Sequence, residues 1–349
     1  LKKVIIALIC CAVALVATKG LYAEIKISKE DASTDPRMCA LFVAYRITDI
    51  YYKPWMLSEV ALKFYGTKYA DKIPVVLTEA ETIAKGLDNP SYRADALLEV
   101  ARGYAKTGEF NKAEQIAYTI GSLLPRVKTF CLISRHYMEA DKKEEAKNIL
   151  LKGFETTKGD GDKNMDMGLL EIVKALVESG AFGDARAVSE KIVNGAKKTE
   201  ALCVTAGAYF KIKDISRANE MIAAAEKVAG ASDDKIDLSG ACVEIAKTYI
   251  LMGNKERAKK YAEEAFEISE KIESKYSKPE LLARISAVYG DLGELDQALI
   301  IANSISDKNY GPRALAKLAV FNFNAGKKDE AYSILASART SAKSIRSAY

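Results

Sequence analysis

The chain has 349 residues, 49% hydrophobic and 28% charged, with 52 lysines and arginines against 47 aspartates and glutamates, a net charge of +5. That balance fits a soluble globular protein able to bury an extended core, and it provides no bulk electrostatic footprint for nucleic acid. The single histidine, His136, leaves no second imidazole for a triad or an ordinary zinc site.

Residues 1–23 read as a secretory signal: Lys2 and Lys3, the apolar run Val4 to Val16, then Leu21-Tyr22-Ala23 as a cleavage site. Loss of Lys2, Lys3 and Lys19 leaves 49 basic residues against 47 acidic, a net charge of +2 on a chain beginning near Glu24. The uncharged run is shorter than the roughly 20 residues that span a bilayer, so a cleaved signal is favoured over an anchor. Cys10 and Cys11 raise a lipoprotein reading, but Ile9 and Cys10, which precede them, are not small. The expected product is an exported bacterial protein, periplasmic in the first instance, with membrane association only through an uncleaved signal.

Residues 24–74 look helical and are dense in aromatics: Phe42, Tyr45, Tyr51, Tyr52, Trp55, Phe64, Tyr65 and Tyr69. The favoured reading is a cap over an otherwise exposed apolar end, and the alternative is a dedicated aromatic ligand site.

Residues 75–349 are periodic. A hinge residue is followed five positions later by alanine seven times: Gly108/Ala113, Asp141/Ala146, Gly180/Ala185, Lys213/Ala218, Gly253/Ala258, Gly293/Ala298 and Gly326/Ala331. Successive hinges lie 33, 39, 33, 40, 40 and 33 residues apart. Self-similarity at such a period marks stacked helical hairpins, each dependent on its neighbours to bury its apolar face. Eight positions before the hinges stand Val100, Ile133, Ile172, Thr205, Ile245, Ile285 and Leu318, which should point inward. Seven before stand Ala101, Ser134, Val173, Ala206, Ala246, Ser286 and Ala319, small enough for a second helix to cross. Four before, Tyr104, Tyr137, Tyr209, Tyr249 and Tyr289 alternate with Leu176 and Asn322. Such a tyrosine packs its ring between hairpins while its hydroxyl reaches the rim.

This pattern resembles the tetratricopeptide repeat (TPR), whose small residue and tyrosine on the first helix, turn glycine and second-helix alanine align with Ala101, Tyr104, Gly108 and Ala113. Pro125 matches the family's terminal proline. The resemblance covers roughly Val75 to Ile345 and implies an all-α fold, a right-handed α-solenoid of about seven to eight TPR-like hairpins. The chain departs from the family in lacking its first-helix tryptophan, in placing Asp141 and Lys213 at hinges, and in three units longer by six or seven residues. The longer units should have extended second helices or longer loops.

Candidate chemistry is sparse. No glycine-rich phosphate loop, nucleophile elbow or paired CxxC occurs, and the carboxylates scatter over helix surfaces. His136 sits five residues after Cys131, on another helix face. Asp160, Asp162, Asn164 and Glu171 imitate a calcium loop, but its sharp-turn glycine is Met165. Cys131, Cys203 and Cys242 occupy apolar core positions, with a Cys203–Cys242 bridge as the exception to watch. No catalytic residue, metal or cofactor is expected.

The resemblance also implies a concave groove lined by the first helices. Six residues before the hinges its positions are Arg102, Arg135, Lys174, Gly207, Lys247, Ala287 and Val320. Three before, they are Ala105, Met138, Val177, Phe210, Ile250, Gly290 and Phe323. Basic residues beside an apolar strip suit an extended peptide or helix bearing carboxylates. Against this, Glu99, Glu139 and Glu178 are placed to neutralise the cations within their own helices. The lysine and asparagine pattern by which some co-chaperone members clamp a C-terminal carboxylate is absent, since Leu98, Cys131 and Leu170 stand at its lysine position. The function expected is a protein-interaction scaffold; a glycan or small-ligand binder using the aromatic amino-terminal region is the alternative. After Glu330 the tail has Lys343 and Arg346 but no acid, which fits a capping helix.

Overall fold

A computed structural model describes residues 27, 29–158 and 164–346. The signal, and Asp160 and Asp162 of the calcium-like segment, fall outside them, as do the side chains of Lys343 and Arg346. The fold is all-α, with no strand among the described residues.

The chain divides into two compact units at Glu171–Ile172. The first holds α1 (Lys29–Thr34), α2 (Pro36–Arg46), α3 (Lys53–Phe64), α4 (Ile73–Lys85), α5 (Pro90–Lys106), α6 (Phe110–Thr119), α7 (Leu123–Glu139) and α8 (Lys143–Glu155). The division falls within α9 (Met165–Glu178). The second unit continues with α10 (Phe182–Ser189), α11 (Gly195–Lys211), α12 (Ile215–Ala229), α13 (Lys235–Leu251), α14 (Lys255–Glu270), α15 (Ser277–Leu292), α16 (Leu295–Ser304), α17 (Tyr310–Asn324) and α18 (Lys328–Arg346).

Both units are hairpin stacks. In the first, α3 packs on α4, α5 on α6 and α7 on α8, while the first helices α3, α5 and α7 pack side by side. In the second, α11 packs on α12, α13 on α14, α15 on α16 and α17 on α18, with α11, α13, α15 and α17 in a row. This is the solenoid arrangement expected from the period.

The seven hinges share one backbone conformation. All have positive φ, from 58° at Asp141 and 63° at Lys213 to 87° at Gly108 and Gly293. At each, the hinge N–H donates to the carbonyl three residues back and the next N–H donates to the carbonyl four residues before the hinge, as in Gly253→Ile250 at 3.0 Å and Asn254→Tyr249 at 2.9 Å. This paired bonding ends a helix on a left-handed residue and satisfies its last carbonyls, so glycine predominates at the position. Asp141 and Lys213 tolerate it at a steric cost of about 1–2 kcal/mol. Lys213→Gly is therefore expected to stabilise the protein by about 1 kcal/mol, net of glycine's larger unfolded-state entropy. A rise in the urea midpoint would show it; an unchanged or lower midpoint would mean that the left-handed hinge is not held in solution.

The hairpin crossings follow the sequence register. The inward residues at Val100 and its equivalents are buried in all seven repeats, as are the small residues at Ala101 and its equivalents and the alanines after the hinges. Where serine occupies the small position, its hydroxyl donates to the carbonyl of the facing alanine: Ser134 to Ala146 and Ser286 to Ala298, both at 2.9 Å. A buried hydroxyl is thereby satisfied by the helix it touches, a net gain of about 1 kcal/mol. The longer repeats lengthen their second helices, to 13, 15 and 16 residues in α8, α12 and α14, against 10, 8 and 10 in α6, α10 and α16.

The aromatic segment divides. Phe64 is fully buried in a core shared with Leu41, Leu57 and Leu77, and Tyr45 and Tyr69 pack against that core. Tyr51, Tyr52, Trp55 and Tyr65 remain exposed.

Candidate functional site: the first-helix face

The recurrent tyrosines lie where the repeat predicted. Tyr104 and Tyr249 are buried, and their hydroxyls meet carboxylates on the second helix of the preceding hairpin: Glu81 at 3.2 Å and Glu226 at 2.6 Å. Both pairs are 23 residues apart, so the contact is a repeat feature. Burial, together with the neighbouring carboxylates, pushes both phenols above their ordinary range and keeps them neutral donors.

The basic positions are engaged by acids. Arg102 pairs with Glu99 on its own helix, at 2.6 Å, and with Glu59 on α3. Lys174 pairs with Glu200 on α11 at 2.9 Å, and Lys247 with Glu244 at 2.7 Å. Glu244 also binds Arg284 of α15 at 2.9 Å. Burial alone would raise the Glu244 pKa, but Lys247 and Arg284 outweigh it and hold the carboxyl below its ordinary value. Arg135 is exposed on α7 and Met138 is half-buried there. Phe210 and Ile250 are half-buried and pack against the second unit's core. The cations thus join neighbouring first helices as much as they present charge outward.

A cavity of about 440 Å³ opens on this face in the second unit. Its walls repeat the register: two residues before the hinges are Glu178, Lys211 and Leu251, six before are Gly207 and Lys247, and nine before are Val204 and Glu244. Positions three or four residues apart share a helical stripe, so α11 and α13 contribute the same stripe, and α9 adds only its last turn, at Val177 and Glu178. The position three before the hinge lies about 100° from the position two before it. Phe210 and Ile250 lie off the cavity stripe of α11 and α13 and do not line it; Val177, at the same register position, borders it from the end of α9. Gly207 allows a close approach: a Cβ there would stand 2.8 Å from Leu251 Cδ2. Leu251 and Ile212, also on the wall, are exposed. The lining is apolar with two acids and two lysines, and so has balanced charge.

Other candidate residues are structurally occupied. His136 Nδ1 lies 2.9 Å from Glu139 Oε2, which also accepts from Lys106 at 2.8 Å. Lys106 and His136 hold the Glu139 carboxyl below its ordinary range. Cys203 and Cys242 are buried free thiols. Burial pushes both up, Cys242 to about 12, so they remain thiols rather than nucleophilic thiolates. Among the described residues no cluster of three or more His, Cys, Asp or Glu is placed to hold a metal ion, and no helix is long and apolar enough to cross a membrane.

Residues 239–272, spanning most of α13 and all of α14 with their hinge at Gly253, match the family model described as tetratricopeptide repeat. The chain's hairpins are TPR-like repeats. A search of the curated proteins gave no match. Among solved structures, Ton1535 from Thermococcus onnurineus NA1 is 19% identical, with 87% of this chain and 94% of that one covered and a TM-score of 0.31. A signal transduction ATPase with numerous domains from Pyrococcus horikoshii, carrying a tetratricopeptide repeat sensor, is 18% identical over 92% of this chain and 54% of its own, with a TM-score of 0.35. BtubC from P. vanneervenii is 12% identical over 71% and 92%, with a TM-score of 0.36. The TPR-like assignment rests on the matched repeat and the seven shared hinges, and no activity is carried over from these structures.

Proposed function

We propose that this TPR-like protein is an exported, non-catalytic interaction scaffold that holds a partner protein on the first-helix face of its second unit. The observation that carries this reading is the cavity built from one stripe repeated on α11 and α13 and bordered by the end of α9, with exposed Leu251 and Ile212 on an apolar wall. Apolar pockets with a few charged groups favour a helix or extended segment that inserts aliphatic or aromatic side chains. Because the lining charge is balanced and Arg102, Lys174 and Lys247 are paired, the partner is selected by apolar anchors and local ion pairing rather than by net acidity. Export is supported by Lys2, Lys3 and the apolar run that follows.

The test is crosslinked capture from envelope extracts, comparing the wild type with Leu251→Asp/Ile212→Asp. Both side chains are exposed, so the variant should fold, at a cost of about 1 kcal/mol for an acid at the carboxyl end of α13, and circular dichroism checks it. A partner captured by the wild type and lost with the double variant supports the reading. Equal capture by both contradicts it.

A further inference from the structure

The first unit has a second, larger concavity, about 510 Å³, at the opposite end of its first helices. We propose that it binds an extended, proline-containing basic peptide segment. Its aromatic wall is Tyr51, Tyr52 and Trp55, at the start of α3, with Tyr92 of α5. All four are exposed, from 38% at Tyr51 to 63% at Tyr52. Leu98 of α5 and Leu124 and Pro125 of α7 extend the apolar surface.

Ring placement discriminates between occupants. The Tyr51 and Tyr92 centroids are 4.7 Å apart at an interplanar angle of 42°, so these rings touch and form a continuous wall. No cation fits between them, which excludes a sandwich of a quaternary ammonium by this pair. A wall of tilted rings instead offers flat apolar faces to flat apolar groups, and proline presents such a group on a chain already ordered as polyproline II. Proline also lacks an N–H, so a proline-rich segment laid on an apolar wall buries fewer unsatisfied donors than an ordinary peptide. A glycan would have to satisfy its many hydroxyls on the few polar groups of this lining, the tyrosine hydroxyls, Asp95, Glu99 and Lys128, and the oligosaccharide arm of the titration below decides for or against it.

Local charge places a basic residue beside the aromatic wall. The charged lining groups are Asp95 and Glu99 of α5 and Lys128 of α7. Glu99 is engaged by Arg102, so Asp95 and Lys128 are the groups left to a ligand, and Asp95 lies one helical turn from Tyr92. Asp95 is exposed on the cleft wall and forms no ion pair with any described residue, which leaves a carboxylate for an arginine or lysine of the ligand. The site is independent of the second unit's cavity and stands or falls separately from it.

Trp55 is the chain's single tryptophan, so its emission reports occupancy of this cleft directly. The full chain is titrated with a short synthetic peptide of prolines interrupted by two arginines, with the same peptide carrying alanine for proline, and with a hexamer of β-1,4-linked N-acetylglucosamine. The expected result is a saturable shift with the proline peptide alone. Binding should weaken about tenfold in Tyr52→Ala/Tyr92→Ala and about two- to fivefold in Asp95→Asn. Circular dichroism establishes that the exposed-residue variants remain folded. No saturable change up to millimolar peptide, equal binding of the alanine peptide, or unchanged affinity in the aromatic variant overturns the proposal. A saturable response to the oligosaccharide without one to the peptide also overturns it and assigns the cleft to glycans.

Discussion

Ala258→Leu is expected to destabilise the protein by about 1–3 kcal/mol, through overpacking at the crossing of α13 and α14. Ala258 is fully buried in a core with Tyr249, Ile245 and Ala218, and the matching alanines of the other repeats are buried in the same way. A β-carbon is all that fits when the second helix crosses the small residues of the first, and three added heavy atoms must displace one helix or take a strained rotamer. In a stack, the displaced helix also serves as the packing surface of the next hairpin, so the damage extends to the neighbouring interface. Chemical denaturation of the variant beside the wild type reads the effect. An unchanged midpoint would show that the assigned register is wrong.

Gly253→Val acts through the backbone rather than the core. The hinge has φ of 78° and an added Cβ would meet nothing within 4 Å, so space is not the limitation. A β-branched residue strongly resists the left-handed region, and forcing it there costs about 1–2 kcal/mol or more. The alternative, a relaxed φ, breaks the two hydrogen bonds that close α13 onto Tyr249 and Ile250. Loss of stability with unchanged helical content at low temperature is expected. Because Lys213→Gly removes a side chain at an equivalent hinge where Gly253→Val adds one, the two variants should move the denaturation midpoint in opposite directions. Shifts of the same sign would contradict the shared hinge geometry.

The fold was legible because its demands are local and repeated. A left-handed hinge selects glycine, a helix crossing selects alanine or serine, and both recur at fixed distances in one sequence. Asp141 and Lys213 do not look like hinges by residue type; only the period identifies them, and both have positive φ. The additional length of three repeats also resolved as expected, into longer second helices. The candidate binding face was less legible. Positions six before the hinge form a basic stripe in the sequence, and in the fold Arg102 meets Glu59 and Lys174 meets Glu200 across helices. Pairing over such sequence distances depends on how neighbouring helices are staggered, which periodicity does not specify. Phe210 and Ile250 enter the groove through the family's positions three before the hinge; they sit half-buried against the second unit's core, and the cavity stripe of α11 and α13 runs through positions two, six and nine. The acidic partners within one helix were foreseeable, since Glu99 lies three residues from Arg102. In the amino-terminal segment, density of aromatics signalled apolar surface to be covered, but not that Phe64 would be covered and Tyr52 left exposed.

A photocrosslinking amino acid placed at single positions shows whether a partner sits on the first-helix face. Position 251 lies on the cavity wall, and position 260 lies on the exposed surface of the second helix of the same hairpin. Partner adducts should form from position 251 and not from position 260. Adducts from position 260 alone, or equally from both, would contradict it.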